Sequence, residues 1–442
     1  MTPVTTPPGH PARRRRRDSD LAFASVVHVN EKGGSFGGTE EYIALITAAL
    51  RARGVRSHLV CGIVAGSLPT DLESVHVVEG LASRQPRPGT SKALTEVVAE
   101  LDPDVIYVHN VFDPAAVRAL AGITDRRMLM WYVHDHYLTC LSELRWRRDV
   151  GSCTQRLGHG CLAAIEAGHC VLRHPDQPHV GADVERRMSL SRALEAADAI
   201  IVVSSYMRAL LHEAQPQLDA RLHLLSRPIR ELGTLRLRHR TRSDDPAVVT
   251  YAGRITPEKG LAVVIEALGA TLCDAPVELR IAGVVEDHDY WSHCQRLQAE
   301  STAKNSGLTI TYLGHLDYDA TDELFRQSDI VTVPSQWPEP LGAVALEAMS
   351  AGAAVIASTV GGLNDTLVHD HNGLHVTPGD VDSWVSSLTT LLQHPEHAQR
   401  LGRQAHRHLA NVAIDDHLDD LDALVSIHRT TQRPDPRPPP RH

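Results

Sequence analysis

Two series of strand-like and helix-like segments in alternation, separated by one charged break, constrain this chain more than any other feature. The first opens with the apolar run Phe23–Val29, a glycine-rich turn and the helical stretch Glu40–Arg53. Strand-like runs follow at Ser57–Cys61, Val75–Val78, Val105–His109, Met128–His134, Ala199–Val203 and Arg221–Leu225. Helical periodicity lies between them, over Lys92–Glu100 and Glu185–Ala196. Such alternation implies a parallel sheet covered by helices on both faces. The pattern breaks over Glu231–Asp245, rich in charge, and Pro246 closes the break. It then restarts with strands at Val248–Tyr251, Val277–Ala282, Leu308–Tyr312, Ile330–Val333 and Ala354–Ala357. Their helices are Gly260–Leu268, Tyr290–Ser301, Thr321–Gln327 and Gly342–Ser350.

The expected class is therefore α/β, with two doubly wound, Rossmann-like domains. The first covers 21–235 and the second 236–410, followed by a terminal helix over 411–428. Residues 1–20 and 429–442 are rich in Pro and Arg, bury no apolar surface and read as disordered tails. Residues 138–180 fit neither pattern and read as an insertion on the first domain.

Bulk properties narrow the class of function. Hydrophobic residues make up 42% of the 442, enough for two packed cores. No apolar stretch reaches the roughly 18 residues of a membrane span. The basic run Arg13–Arg17 is followed by Asp18, Ser19 and Asp20, not by the apolar segment of a signal peptide, so a cytoplasmic protein is expected. A net charge of −10 argues against nucleic acid as a partner, because phosphate contacts need clustered cations. The Arg13–Arg17 run reads as a solvated tail, with a nucleic-acid or membrane arm as the other reading. Seven cysteines, an odd count in a long chain, point to reduced thiols.

Open α/β sheets bind ligands beyond the carboxyl ends of their strands, so the loops that follow each strand carry the candidates. After the first strand comes Gly33-Gly34-Ser35-Phe36-Gly37-Gly38, and then a helix. A glycine loop at a helix start lets backbone N–H groups approach phosphate or sugar, although a ligand-free tight turn uses the same residues. The second domain opens with Gly253-Arg254 and then Lys259-Gly260, two cations suited to a diphosphate, or two solvated surface charges. The most specific segment runs from Pro338 through Glu339, Leu341 and Gly342 to Glu347. It places one carboxylate in a loop after a strand and another inside the helix that Gly342 starts. Each can accept hydrogen bonds from hydroxyls, one set on a sugar and one on a ribose. Gly361-Gly362 follows the next strand and brings backbone to the same place.

These motifs resemble those of retaining glycosyltransferases of family 4, with the GT-B fold. The resemblance rests on Gly253-Arg254, Lys259-Gly260, the Glu339/Glu347 pair with its seven intervening residues, and Gly361-Gly362 with Asp365. It spans most of residues 21–410 and implies two domains facing across a cleft. It implies an NDP-sugar donor, with UDP-GlcNAc or UDP-glucose favoured, and no catalytic cofactor or metal. Carried over, Arg254 and Lys259 hold the donor diphosphate, Glu347 the ribose hydroxyls, and Glu339 hydroxyls of the transferred sugar. Gly253, Leu341 and Gly342 belong to the same donor-binding loops. Gly37 and Gly38 form the glycine loop near the donor phosphates and acceptor, and His134, at a strand end, contacts the donor sugar. Relatives usually carry Glu where this chain has Asp365. Arg254, Lys259 and backbone dipoles would carry the charge developing on the diphosphate. A front-face route is usual for the family; a transient covalent intermediate is the other.

In the insertion, Cys140, Cys153, Cys161 and Cys170 lack C-x2-C spacing. Reduced structural thiols, a structural zinc with all four positions filled, and disulfides are the three readings. The leading function is transfer of a hexosyl or N-acetylhexosaminyl group to a hydroxyl of a small soluble acceptor, such as a cyclitol or aminocyclitol, in secondary metabolism such as antibiotic biosynthesis. The alternatives are a lipid or polysaccharide acceptor, a non-catalytic nucleotide-sugar binder, and a GT-B epimerase. Arg145, Arg147 and Arg148 around Trp146 form the one local basic cluster of the first domain, a membrane finger or the lip of a pocket. Peripheral membrane contact thus stays open, and the sequence fixes no oligomeric state.

Overall fold

A computed structural model describes residues 21–432 apart from 35–36, 125–126, 171–179, 226, 230–234, 236–237, 239–244, 272–274 and 410–413. The expected tail 1–20, residues 433–442 of the second tail and most of the charged break lie outside the described residues.

The first alternating series forms β1 (Ser25–Gly34), β2 (Arg56–Ala65), β3 (Ser74–Val77), β4 (Val105–Val108) and β5 (Met128–Val133). A small antiparallel pair follows, β6 (Trp146–Arg147) and β7 (Gly151–Ser152), then β8 (Ala199–Val202) and β9 (Leu222–Leu224). Seven of these make one sheet in the order β3-β2-β1-β4-β5-β8-β9, every pairing parallel. The second series forms β10 (Ala247–Ala252), β11 (Val277–Ala282), β12 (Leu308–Gly314), β13 (Ile330–Val333), β14 (Ala354–Ser358) and β15 (Leu374–Val376). Its sheet is also all parallel, in the order β12-β11-β10-β13-β14-β15. In both sheets the order reverses beside the first strand of the series, where open α/β sheets place their ligands.

Burial explains why these segments are strands. Every residue of β4, β5, β8, β13 and β14 is buried, as expected for central strands with helices on both faces. Trp131 fills the first core and Trp384 the second, both with no exposed surface. Each such apolar side chain contributes about 1.5–3 kcal/mol by leaving water.

Two differences from the sequence reading bear on the site. The first strand runs on past the apolar run ending at Val29; it stays paired with β2 through Gly34↔Ala65, so the glycine turn is shorter and its helix starts at Gly38. The terminal helix is Ile414–Gln432, so 429–432 is helix, not tail. Its Leu418, Leu421 and Val425 sit in the core of the first sheet, although the helix follows the second sheet in sequence. The described residues of the insertion are largely irregular, with the β6–β7 pair and one short helix, Gly160–Glu166. Buried Arg187 anchors it by donating to Tyr137 O and, at 3.0 Å, to Glu143 Oε1; Arg84 reaches the same oxygen at 2.7 Å. Among the described residues, no helix is long and apolar enough to cross a membrane.

Candidate active site

The loops after β10, β13 and β14 converge, as open-sheet geometry requires. Lys259 lies in a short 3-10 turn after β10, and its Nζ stands 2.6 Å from Oε1 of Glu339 in the loop after β13. The same oxygen accepts from Ser335 Oγ at 2.6 Å and Trp337 Nε1 at 2.8 Å. The Trp337 ring also lies beneath the Lys259 ammonium, 5.0 Å from its centroid. Burial alone would raise the Glu339 carboxyl's pKa. The Lys259 charge and the three hydrogen bonds outweigh that and hold it below the usual carboxylate range. Glu339 is therefore a buried, ionised acceptor whose Oε2 is not taken by these three donors.

Gly361 makes this packing possible. Its φ is +53°, and a Cβ there would stand 2.2 Å from Glu339 O. Gly362 donates its N–H to that carbonyl at 2.7 Å, so the loop after β14 braces the Glu339 loop. Gly342 is the residue before the helix Ala343–Ser350, which carries Glu347. Glu347 lines a pocket together with Ala343, Tyr318, Glu41, Leu45 and Arg227, residues drawn from both halves of the chain.

Arg254 follows β10 and Gly253 as expected, but its guanidinium meets carboxylates: Glu286 at 2.7 Å and Glu258 at 3.3 Å. Burial opposes its charge, yet these acids, with Glu339 also contributing, raise its pKa. Leu341 packs against the cores of both sheets. Asp365 uses both carboxylate oxygens on Ser205, from backbone N at 2.5 Å and Oγ at 2.6 Å. Ser204 Oγ donates to Pro340 O at 2.5 Å. The departure from the usual Glu thus coincides with a bridge between the two sheets' loops.

In the first half, Gly38 lies under Arg227, where a Cβ would be 3.2 Å from Nη1, and Gly37 is the residue before the helix. Ser35 and Phe36 of that loop lie outside the described residues. His134 sits just past β5, its Nε2 2.9 Å from His109 Nδ1. Burial, and then Arg227, push its pKa well down. His136, two residues on, makes the aromatic contact with the second half: its ring centroid lies 5.6 Å from that of Trp337. It is fully buried, with Nε2 3.1 Å from Tyr206 Oη.

Sequence reasoning therefore missed Arg227, Ser335 and Trp337. Ser335 and Trp337 flank Glu339 and could have been read with it; Arg227 lies where the periodic signal fades. Asp102 and Asp104 stand before β4, at the sheet edge opposite the site. Asp104 Oδ2 holds the Ala24 and Ser25 amides at 2.7 and 3.1 Å.

The four insertion cysteines are free thiols, which departs from the disulfide reading. Among the described residues, no group of three or more His, Cys, Asp or Glu side chains is arranged to hold a metal ion. Burial and neighbouring cysteines push the Cys170 thiol up to about 11, so it stays protonated at neutral pH. Two of the three arginines of the basic cluster are engaged within the insertion, and Arg148 is exposed. Arg145 is buried and donates to Gln155 O at 2.9 Å, and Arg147 pairs with Asp149.

Comparison with known proteins matches this geometry to a family. The sequence profile "Glycosyl transferases group 1" matches residues 236–408, and "Glycosyltransferase Family 4" matches 36–230. The chain is 36% identical over 141 residues to an uncharacterized glycosyltransferase of Methanocaldococcus jannaschii, covering 32% of this chain and 34% of that one. The chain thus spans about a third of that relative. It is 28% identical over 416 residues to the D-inositol 3-phosphate glycosyltransferase of Salinispora tropica, covering 90% of this chain and 83% of the relative. Among solved structures, it is similar in fold to sucrose-phosphate synthase from Thermosynechococcus elongatus, with a TM-score of 0.66 and 19% identity. That match covers 92% of this chain and 99% of the other. With two all-parallel sheets, loops converging on Glu339, and profiles that together span both halves, the chain belongs to the family 4 glycosyltransferases of GT-B fold.

Proposed function

We propose that this protein transfers a hexosyl or N-acetylhexosaminyl group from a UDP-sugar, with retention, to a hydroxyl of a small soluble acceptor. The cyclitols and aminocyclitols are the acceptor class favoured, and the cytoplasm the place of work. The observation that carries the reading is the 2.6 Å pair between Lys259 and buried, ionised Glu339, at the loops where this fold places its ligand. A charged carboxylate held by three donors on one oxygen keeps the other for sugar hydroxyls. Lys259, Arg254 and Arg227 supply positive charge for a diphosphate, and such fixed charge stabilises the leaving group as it develops. Arg254 would exchange Glu258 and Glu286 for phosphate oxygens. Glu347, in the pocket shared by both halves, would accept from the ribose hydroxyls.

The acceptor reading draws on the long match to a protein named D-inositol 3-phosphate glycosyltransferase. It also draws on the burial of Arg145 and the pairing of Arg147, which leave little of a basic finger for a bilayer.

The test is release of UDP from UDP-glucose and UDP-GlcNAc, each alone and with a panel of inositols, inositol phosphates and aminocyclitols. Acceptor-dependent release, with the donor's anomeric configuration kept in the product, is expected. An inverted product overturns retention, and no release with any pair overturns transfer. Strong flotation with anionic liposomes, lost in Arg147→Ala/Arg148→Ala, would turn the acceptor reading towards lipid.

A further inference from the structure

Three imidazoles stand in a row across three neighbouring strands. His28 lies within β1, His109 just past β4 and His134 just past β5, and β1-β4-β5 are adjacent in the sheet. His28 Nδ1 is 3.0 Å from His109 Nε2, and His109 Nδ1 is 2.9 Å from His134 Nε2. His28 and His109 have no exposed surface; His134 is partly exposed. The chain of rings therefore begins inside the core and ends at the cleft.

The far end sets its direction. His28 Nε2 is buried and has no hydrogen-bond partner among the described residues. A proton there would be an orphaned donor, the kind of buried group that structures avoid most strongly, whereas a bare acceptor is better tolerated. The His28 proton thus belongs on Nδ1, from which it is donated to His109 Nε2. His109 must then carry its own proton on Nδ1 and donate it to His134 Nε2. His134, its Nε2 occupied as an acceptor, keeps its proton on Nδ1, its remaining nitrogen. The middle ring is held in place through its backbone: His109 O accepts from Trp131 Nε1 at 3.1 Å and from Tyr137 Oη at 3.0 Å.

We infer that His28 and His109 are positioning residues that lock His134 as the Nδ1–H tautomer, so that it presents a neutral donor to the transferred sugar. This rests on the reading that His134 contacts the donor. No imidazolium is available along the row, because burial and the neighbouring histidines push these rings towards neutrality. The surrounding groups agree. Tyr42, Tyr107 and Tyr132 pack against the row from the first helix, β4 and β5; His58 faces it from β2, Arg227 from the chain after β9, and His417 reaches Tyr42 from the terminal helix. None of these is an anion that would favour a charged ring.

The test is the 15N spectrum of histidine-labelled full-length protein, with His134 assigned by subtraction against His134→Gln. In the wild type His134 should show a protonated Nδ1 and a bare Nε2, unchanged between about pH 7.5 and about pH 5.5. His109→Phe should lose this single tautomer. His109→Asn, whose amide can donate from the place of Nδ1, should keep it. UDP release from UDP-glucose should fall about tenfold in kcat/KM in His109→Phe and recover to within about threefold in His109→Asn, with UDP affinity unchanged in both. A wild-type His134 protonated on Nε2 overturns the inference even if His109→Phe does not fold. So does an Nδ1–H tautomer that survives in a folded His109→Phe. Full turnover in His134→Gln would instead overturn the contact of His134 with the donor, and the tautomer measurement would stand apart from it.

Discussion

The Lys259 ammonium and the Glu339 carboxylate meet at 2.6 Å although 80 residues separate them in the chain. The contact joins the loops after β10 and β13, strands that pair in the sheet. Each charge makes the other's burial tolerable. Breaking such a pair by removing one partner costs about 3–5 kcal/mol, because the other is left buried and uncompensated.

The first prediction follows from that pair. Glu339→Gln and Glu347→Gln should each cut transfer by roughly 100-fold or more, as expected for loss of a preorganised polar contact. Lys259→Ala should in addition lower the urea midpoint, and Lys259→Ala/Glu339→Gln should be more stable than Lys259→Ala alone. Near-wild-type rates in both glutamine variants would remove these residues from the donor site.

Arg254 gives the second. Its guanidinium is neutralised by Glu258 and Glu286. Arg254→Ala should weaken UDP binding by roughly tenfold or more, since a charge-assisted, bidentate partner is lost. Glu286→Gln, which frees the guanidinium from one competitor, should bind UDP as tightly as wild type or tighter. Calorimetric titration of UDP into both variants decides, and unchanged affinity in Arg254→Ala refutes the assignment.

Turnover should not depend on added divalent metal, because in the proposed reading Lys259, Arg254 and Arg227 would supply fixed charge for the leaving diphosphate. Assays after EDTA treatment should keep the untreated rate. Activity lost to EDTA and restored by magnesium or manganese would show that a metal carries the charge instead.

The buried histidine row predicts an acid limit on stability. His28 is held down to about 3 by burial and then by His58, and His109 is pushed well below its ordinary value. Both stay neutral in the folded protein but take up a proton when unfolded, below the ordinary pKa near 6.5. The unfolded state therefore binds more protons, so stability falls as pH drops below about 6.5. Each ring contributes a slope of about 1.4 kcal/mol per pH unit in that window. Urea denaturation at about pH 7.5 and about pH 5.5 should show the loss, and His28→Asn should reduce its slope by roughly one ring's share. An identical slope in wild type and His28→Asn would show that His28 does not remain neutral in the fold.

By itself the sequence determined what is local. Periodicity over a few residues sets helix or strand, and uninterrupted apolar runs such as Met128–Val133 set burial on both faces. The strand-end position of Glu339 and the spacing to Glu347 marked the candidate donor loops in the sequence, because loops after parallel strands are where such sheets bind. Only the tertiary structure decided what crosses the chain. Asp365 reaches Ser205 across 160 residues, and the terminal helix returns from the second series to pack on the first sheet. His28, His109 and His134 read as three separate residues until the order β1-β4-β5 sets them side by side. Arg227 belongs to no periodic element, so no pattern marks it, yet it stands over Gly38 and lines the pocket with Glu347. The reason is physical. Hydrophobic period is fixed by each segment's own geometry, whereas neighbours in a parallel sheet are fixed by crossovers that pass over a face and leave no local trace in the residues they bring together.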